Sequence, residues 1–81
     1  MYYVYIVTCS DGSLYTGCTK NIKRRLEVHN KGKGAKYTRG RLPVSLKYWE
    51  ICKNRSKAQK REYQLKQYSR QEKKNLIANF K

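Results

Sequence analysis

The chain has 81 residues, of which 20 are Lys or Arg and 5 are Asp or Glu, so its formal net charge is +15. This length provides one domain with a small core and excludes a second domain. So large a positive charge opposes folding by self-repulsion and indicates a polyanionic partner, for which nucleic acid is the natural choice. A membrane surface is disfavoured, because no amphipathic segment with a Trp/Phe/Leu face is present.

The N-terminus and the cysteines both lead us to expect a cytoplasmic protein. Residues 1–7 lack the basic region and the small-residue cleavage site of a signal peptide. The three cysteines, Cys9, Cys18 and Cys52, are an odd number and fit reduced thiols better than a disulfide framework. Their spacing does not fit a zinc site, so we expect them to be small packing residues.

The first predicted element is a β-hairpin. Residues 2–9 (YYVYIVTC) are β-branched and aromatic, which is typical of a buried strand, and residues 13–18 form its predicted partner. Ser10-Asp11-Gly12 supplies the turn between them. The length of this turn decides which side chains share a face of the sheet, because side chains alternate with period two.

The turn length therefore controls where the hairpin tyrosines point. A two-residue turn would place Tyr5 and Tyr15 on opposite faces. A three-residue loop, with Gly12 in the left-handed bulge position, sets Tyr5 opposite Gly17 and puts both tyrosines on one face. We favour the three-residue loop, in which Gly17 leaves open space beside Tyr5.

A helix is predicted next, over residues 21–31, with Asn21 as its N-cap and Gly32 or Gly34 at its end. One face of this helix carries residues at the spacing i, i+3, i+4, i+7, namely Ile22, Arg25, Leu26 and His29. Two polar residues among these four are unusual for a stripe that packs on a sheet.

Residues 31–43 (KGKGAKYTRGRLP) form a glycine-rich, cationic loop with one short turn at residues 35–38, and residues 44–52 are predicted to be a third strand. The loop carries cations that can hold a nucleic-acid backbone and an aromatic ring that can stack on bases. The predicted nucleic-acid contacts are Lys33, Lys36, Tyr37, Arg39 and Arg41.

Two capping boxes predict the last two helices. Residues 56–68 begin with the pair Ser56 and Gln59, and residues 69–79 begin with the pair Ser69 and Glu72.

The first of these helices carries an acidic residue that needs an explanation. Glu62 lies between Ala58 and Leu65 on the stripe expected to face the sheet. A carboxylate in such a place needs a cation or hydrogen-bond donors to offset its desolvation. A partly hydrated Mg²⁺ held by Glu62 and by substrate phosphate would serve, and so would a salt bridge to one of the many Lys or Arg residues.

Arg25, His29 and two tyrosines complete the set of residues with suitable chemistry. Arg25 suits a phosphate, because its planar guanidinium gives directed hydrogen bonds. His29, the single histidine, can orient a tyrosine or a water, or move a proton, unless it is a surface imidazole. A phenol at Tyr5 or Tyr15 has an ordinary pKa of about 10, and we expect the surrounding cations and a metal ion to lower it toward that of a general base.

At these residues the sequence resembles the GIY-YIG endonuclease superfamily. Tyr3-Val4-Tyr5 stands at the first motif and Tyr15-Thr16-Gly17 at the second, while Arg25 and His29 follow as in that family's first helix. Glu62 stands where the family keeps its metal-binding glutamate. The resemblance covers nearly the whole chain and is closest to small single-domain bacterial members, which have no appended domain to choose a DNA target.

The chain departs from the family pattern at a few positions. Tyr3 and Val4 replace Gly and Ile of the first motif, and Thr16 replaces Ile of the second. Many members also use an asparagine late in the domain, and neither Asn75 nor Asn79 can be matched to it.

The resemblance implies an α/β (α+β) domain over residues 1–81, with a three-stranded antiparallel sheet flanked by helices. It implies a metal-dependent endonuclease that hydrolyses phosphodiester bonds in DNA and works in repair or recombination. Glu62 would hold one Mg²⁺ or Mn²⁺, Tyr5 or Tyr15 would deprotonate water with the help of His29, and Arg25 would stabilise the transition state.

The implied partners are DNA, including branched or flapped DNA, and a targeting protein. The alternative is a non-catalytic nucleic-acid-binding module on the same scaffold, which would explain the charge and the aromatic residues but not Glu62.

Overall fold

The computed structural model describes residues 1–80; Lys81, the last residue of the predicted domain, lies outside the described residues. The elements in chain order are β1 (Tyr2–Thr8), β2 (Leu14–Thr19), α1 (Ile22–Asn30), α2 (Lys36–Arg39), β3 (Ser45–Cys52), α3 (Arg55–Lys66) and α4 (Arg70–Ala78). The predicted α+β class with a three-stranded antiparallel sheet and flanking helices is confirmed. No helix within residues 1–80 is long and apolar enough to cross a bilayer.

The sheet has the order β2-β1-β3, and both pairings are antiparallel. Tyr5 pairs with Gly17 and Val7 with Tyr15, which is the register of a three-residue loop. Gly12 has a φ of +83°, the left-handed conformation that this loop requires. The predicted hairpin is therefore confirmed, and Tyr5 and Tyr15 share one face of the sheet.

The core lies on both faces of the central strand β1. On one face Val4 packs with Ala58 and Leu65 of α3, and all three side chains are fully buried. On the other face Tyr5 and Val7 pack in a second apolar cluster with side chains of α1 and of the segment before β3. The sheet thus separates α3 and α4 on one side from α1 on the other.

The cysteines contribute to this packing, as predicted. Cys9 is buried, Cys18 and Cys52 are half-buried, and all three are free thiols. Cys9 belongs to the cluster around Tyr5, and the other two pack beside Val4.

The caps of α1 agree with the sequence prediction. The Asn21 side chain accepts a hydrogen bond from the backbone N–H of Arg24 at 3.0 Å. After the C-cap residue Lys31, Gly32 takes a φ of +76°, so glycine ends the helix. The short turn expected in the loop is the single-turn helix α2.

The predicted start of α3 is wrong. Asn54, not Ser56, is its N-cap, because the Asn54 side chain accepts from the backbone N–H of Lys57 at 2.9 Å. Ser56 lies inside the first turn, where its hydroxyl cannot cap the helix. The helix also ends at Lys66 rather than at residue 68, whereas the capping box that begins α4 is present as predicted.

The loop between α1 and β3 is tied down at both of its ends. The Asn30 side chain exchanges two hydrogen bonds with the backbone of Val44, at 2.8 and 3.3 Å. Near the hairpin turn, the backbone N–H of Ser10 donates to the carbonyl of Arg41 at 2.9 Å. These bonds hold the cationic loop beside the face of the sheet that carries Tyr5 and Tyr15.

Candidate active site

The centre of the candidate site is a buried chain of hydrogen bonds from β1 through α1 to α2. Tyr5 Oη lies 2.9 Å from His29 Nε2, and His29 Nδ1 lies 2.9 Å from Thr38 Oγ1. The Thr38 hydroxyl donates its single proton to the carbonyl of Ala35 at 2.9 Å. His29 Nδ1–H must therefore donate to Thr38, which leaves Nε2 as the acceptor of the Tyr5 proton. The network places a proton on Nδ1, and the lowered pKa of His29 favours the neutral ring.

His29 and Tyr5 are both buried, so the alternative of a surface imidazole is wrong. His29 is 0% exposed and Tyr5 is 2% exposed. Burial, followed by the nearby charge of Arg25, lowers the pKa of His29, since both oppose the imidazolium form. The interior position of His29 agrees with a residue that orients a tyrosine.

The expectation that cationic surroundings would lower the pKa of the tyrosines is wrong for the protein alone. Burial is the largest effect on both phenols and raises the pKa of Tyr5 and, to a smaller extent, that of Tyr15. The charge of Arg25 acts in the opposite direction on both but does not overcome burial. Without a metal ion or a substrate, both phenols therefore keep their protons.

Two glycines allow this network to close. A Cβ atom built on Gly17 would lie 2.5 Å from Tyr5 Oη and 2.7 Å from Tyr5 Cζ, so only glycine leaves room beside the phenol. A Cβ atom on Gly34 would overlap the His29 ring. The space that the missing side chain of Gly17 leaves is filled by the phenol of Tyr5, so the expectation of an open space there is wrong.

Tyr15 lies at the rim of the network rather than in it. It is half-buried, and its ring meets the His29 ring edge-on with the centroids 5.6 Å apart. Its hydroxyl has no hydrogen-bond partner within residues 1–80. Tyr37 stacks on Tyr15 with 6.0 Å between centroids, and the Arg41 guanidinium lies 4.1 Å from the centroid of Tyr37. Tyr15 is thus held by its neighbours while its hydroxyl is free.

Glu62 approaches from the other side of the sheet, at the edge strand β2. It is half-buried between Ala58 and Leu65. Burial raises the pKa of both Tyr15 and the Cys18 thiol, and the charge of Glu62 adds to both shifts. Its carboxylate also forms an ion pair with Lys66 at 3.0 Å. The salt bridge that the sequence left open as an alternative is therefore present, beside the tyrosines.

Arg25 completes the group from α1. Its side chain is exposed, and its charge bears on Tyr5, Tyr15 and His29. His29 is hydrogen-bonded to Tyr5, and the charges of Arg25 and Glu62 act on both tyrosines, so the five predicted catalytic residues are grouped around strands β1 and β2.

The donor set fits one kind of metal ion and not another. Within the part of the chain that the structure describes, no group of three or more His, Cys, Asp or Glu side chains could hold a metal ion. This excludes a tetrahedral zinc site there. A partly hydrated Mg²⁺ or Mn²⁺ needs only one or two carboxylates together with substrate phosphate, which Glu62 can satisfy once Lys66 is displaced.

The predicted nucleic-acid contacts fall into two groups. Lys33, Lys36 and Arg39 are exposed and free to meet a backbone phosphate. Arg41 is already engaged, since it forms an ion pair with Asp11 at 3.0 Å and donates to the carbonyl of Tyr37 at 2.6 Å. Tyr37 is 40% exposed but stacks on Tyr15.

Sequence reasoning missed Thr38 and Lys66. Thr38 is 0% exposed although it lies in a polar loop, and no periodic pattern marks it. Lys66 could have been found from the sequence, because it follows Glu62 by four residues on a predicted helix, the spacing at which ion pairs form. The late asparagines have local contacts, because Asn79 donates its side-chain amide to the carbonyl of Asn75 at 2.9 Å.

The molecule also has an apolar groove that does not include the predicted catalytic residues. It runs between α1 and β3 and is lined mainly by apolar side chains, among them Tyr3, Ile22, Leu26, Leu46 and Trp49.

Comparison with known proteins shows the family of the chain. Residues 1–75 match the family model described as the GIY-YIG catalytic domain. UPF0213 proteins of Staphylococcus aureus strains Mu3 and Mu50 are each 57% identical to the chain over 76 residues, which cover 94% of this chain and 93% of theirs.

Two solution structures are similar in both sequence and fold. A UPF0213 protein from Bacillus halodurans is 46% identical with a TM-score of 0.60, and the match covers 96% of this chain and 84% of that protein. A protein from E. faecalis is 40% identical with a TM-score of 0.63, and the match covers 95% of this chain and 82% of that protein.

Proposed function

The chain belongs to the GIY-YIG family, a nuclease superfamily, and we propose that it is a metal-dependent endonuclease that hydrolyses phosphodiester bonds in DNA. The observation that carries this proposal is the Tyr5–His29 hydrogen bond of 2.9 Å, with Tyr15, Arg25 and Glu62 near enough for their charges to act on Tyr5. A binding module has no need of a buried phenol–imidazole pair beside a carboxylate.

In this proposal, Tyr5 and His29 activate the attacking water together. Because burial disfavours a free tyrosinate, Tyr5 does not act by losing its proton to solvent. Instead, Tyr5 Oη accepts a proton from the attacking water as it passes its own proton to His29 Nε2. Tyr5 ends neutral and His29 ends as an imidazolium, which the negative charge of the phosphodiester offsets.

Arg25 and Tyr15 position the reacting groups. The exposed guanidinium of Arg25 binds the non-bridging oxygens of the phosphodiester and stabilises the charge that develops on them. The free hydroxyl of Tyr15, at the rim of the network, orients the water between Tyr5 and the phosphorus. The water oxygen forms a bond to phosphorus while the bond to the leaving oxygen breaks.

Glu62 is the residue that would hold a divalent ion, Mg²⁺ or Mn²⁺. When bound there, such an ion supplies Lewis-acid stabilisation of the phosphate and of the leaving oxygen. In the protein alone, the ion pair with Lys66 orients the carboxylate.

The proposed substrate is DNA selected by its shape rather than by its sequence. The exposed cations Lys33, Lys36 and Arg39 hold the backbone beside the site, and a chain of 81 residues with one sheet offers little surface for reading bases. We propose that the substrate is branched or flapped DNA and that the protein acts in repair or recombination. We also propose that a targeting protein directs the domain to its substrate.

The test is a cleavage assay on labelled duplex, flapped and branched DNA with Mg²⁺ or Mn²⁺. We expect Glu62→Gln, Tyr5→Phe and Tyr15→Phe each to lower the cleavage rate at least about 100-fold, in the range typical of lost acid–base or electrostatic groups. The exposed residues Glu27 and Tyr63 provide matched controls, since Glu27→Gln and Tyr63→Phe make the same chemical changes away from the site.

Equal cleavage by the site variants and their controls would contradict the assignment. If the wild-type protein binds these DNAs with no cleavage under any condition, the non-catalytic module becomes the better account. The Glu62–Lys66 ion pair, which satisfies the carboxylate without a metal ion, is the observation that favours that second candidate.

A further inference from the structure

Lys66 occupies the carboxylate that the proposed function assigns to a metal ion. It is the last residue of α3, and its ammonium lies 3.0 Å from Glu62, one helical turn away. The Lys66 side chain is 48% exposed, so it can leave the carboxylate without disturbing the core. Burial raises the pKa of the Tyr15 phenol, and the positive charge of Lys66 opposes this rise, so Lys66 lies near the rim of the site.

A second lysine, on α4, lies beside the first. Lys73 is half-buried and has no ion pair with an acidic residue within residues 1–80. Burial and the nearby charge of Lys66 both lower the pKa of Lys73. Lys66 is paired with Glu62, whereas no carboxylate within residues 1–80 is paired with the neighbouring Lys73, so this corner of the molecule has a local excess of positive charge.

A divalent ion at Glu62 would increase that excess. The carboxylate cannot neutralise a divalent ion and Lys66 together, so binding of the ion favours release of the lysine. The released ammonium then lies near Lys73 with no compensating anion. A phosphate group of the substrate backbone is the anion that the proposed reaction supplies at this place.

We propose that Lys66 and Lys73 form a phosphate-binding site for the nucleic-acid backbone next to Glu62, which becomes available when a divalent cation replaces Lys66 on the carboxylate. This inference rests on the proposed function and extends it. Arg25 binds the phosphate that reacts, and the lysine pair binds a phosphate elsewhere along the backbone, on the α3–α4 side of β2.

The first experiment measures Mn²⁺ binding to the DNA-free protein by electron paramagnetic resonance. We expect Lys66→Ala to tighten Mn²⁺ binding about two- to fivefold, because it removes the ion-pair competitor from Glu62. Lys73→Ala should tighten it less, since Lys73 does not contact the carboxylate. Lys57→Ala removes the same charge from the exposed opposite side of α3 and should leave Mn²⁺ binding unchanged.

The second experiment measures binding of a 20-base-pair duplex at several salt concentrations, with Ca²⁺ and without it. With Ca²⁺ we expect Lys66→Ala and Lys73→Ala each to lower the slope of log K against log salt by about one unit. Without Ca²⁺, Lys66→Ala should change the slope less, because Glu62 already neutralises Lys66. Lys66→Arg should keep the wild-type slope, and Lys57→Ala should match the wild type.

If Lys66→Ala and Lys57→Ala bind Mn²⁺ with the same affinity, Mn²⁺ does not displace Lys66 from Glu62, and this part of the proposal is overturned. If the slope of log K against log salt is the same for Lys66→Ala, Lys73→Ala and Lys57→Ala, the proposed phosphate site is overturned. Either result together with cleavage by the wild-type protein would leave the nuclease proposal intact. Conversely, the expected Mn²⁺ and salt effects without any cleavage would support the lysine site and contradict the nuclease.

Discussion

The threonine hydroxyls at positions 16 and 38 are both buried, but only one of them has partners. Thr38 accepts from His29 and donates to Ala35, whereas Thr16 Oγ1 has no hydrogen-bond partner within residues 1–80. Thr16 stands in the second tyrosine motif where the family has an apolar Ile. A buried hydroxyl without a partner destabilises the folded protein.

We therefore predict opposite effects of the same substitution at these two positions. Thr16→Val removes the unpaired hydroxyl at nearly constant volume and should raise the free energy of unfolding by about 1 kcal/mol. Thr38→Val leaves the His29 Nδ1–H without its acceptor and should lower that free energy by about 1–3 kcal/mol. Urea unfolding of both variants checks this, and equal effects would contradict the hydrogen-bond assignment.

His29 leads to a prediction of how stability depends on pH. Its pKa is lowered in the folded protein, so as the pH falls the unfolded chain takes up the proton first. The stabilisation from neutral His29 is full above about pH 6.5 and decreases as the pH falls below that value. One proton sets an upper limit of about 1.4 kcal/mol per pH unit.

The measurement is urea unfolding of the wild type and of His29→Gln at pH 7.5 and 5.5. The wild type should lose stability between these values, and the variant should lose less. The pKa values of the carboxyl groups of Asp11 and Glu50 are lowered by their partners, so they lose stabilisation only at more acidic pH. A pH dependence that is the same in both proteins would contradict a neutral buried imidazole.

The start of α3 gives the clearest prediction about a single element. Asn54→Ala removes the side chain that accepts from Lys57 N–H and should lower the free energy of unfolding by about 1 kcal/mol. Ser56→Ala, inside the first turn, should change it by less than about 0.5 kcal/mol. If urea unfolding instead shows the larger loss for Ser56→Ala, Ser56 is the cap after all.

Element boundaries in this chain were predictable where the signal is local. Gly12 in the turn, Asn21 before α1 and the Ser69 capping box each act within a few residues, so the sequence contains all of their partners. The start of α3 was predicted wrongly because Asn54 and Ser56 are both good caps. Packing of Ala58 and Leu65 against the sheet agrees with the cap at Asn54.

For the whole molecule, the net charge of +15 predicts strongly salt-dependent binding of DNA. If the cationic loop holds the backbone, the triple variant Lys33→Ala, Lys36→Ala, Arg39→Ala should lower the slope of log K against log salt by up to about 2.7 units. A control triple variant on the opposite surface, Lys53→Ala, Lys57→Ala, Lys60→Ala, loses the same charge.

Fluorescence anisotropy with a labelled duplex at four or more salt concentrations measures this slope. A control triple variant that lowers the slope as much as the loop variant would show that total charge, and not the loop, determines the affinity.

The sequence by itself determined the elements, the hairpin register, the likeness to the GIY-YIG family and the identity of the candidate residues, because these depend on local periodicity, turn chemistry and motif order. Only the tertiary structure decided how those residues meet. Tyr5 and His29 are 24 positions apart in the chain, and their bond depends on how α1 packs against the sheet. Burial, which no single residue encodes, reversed the expected direction of the tyrosine pKa values.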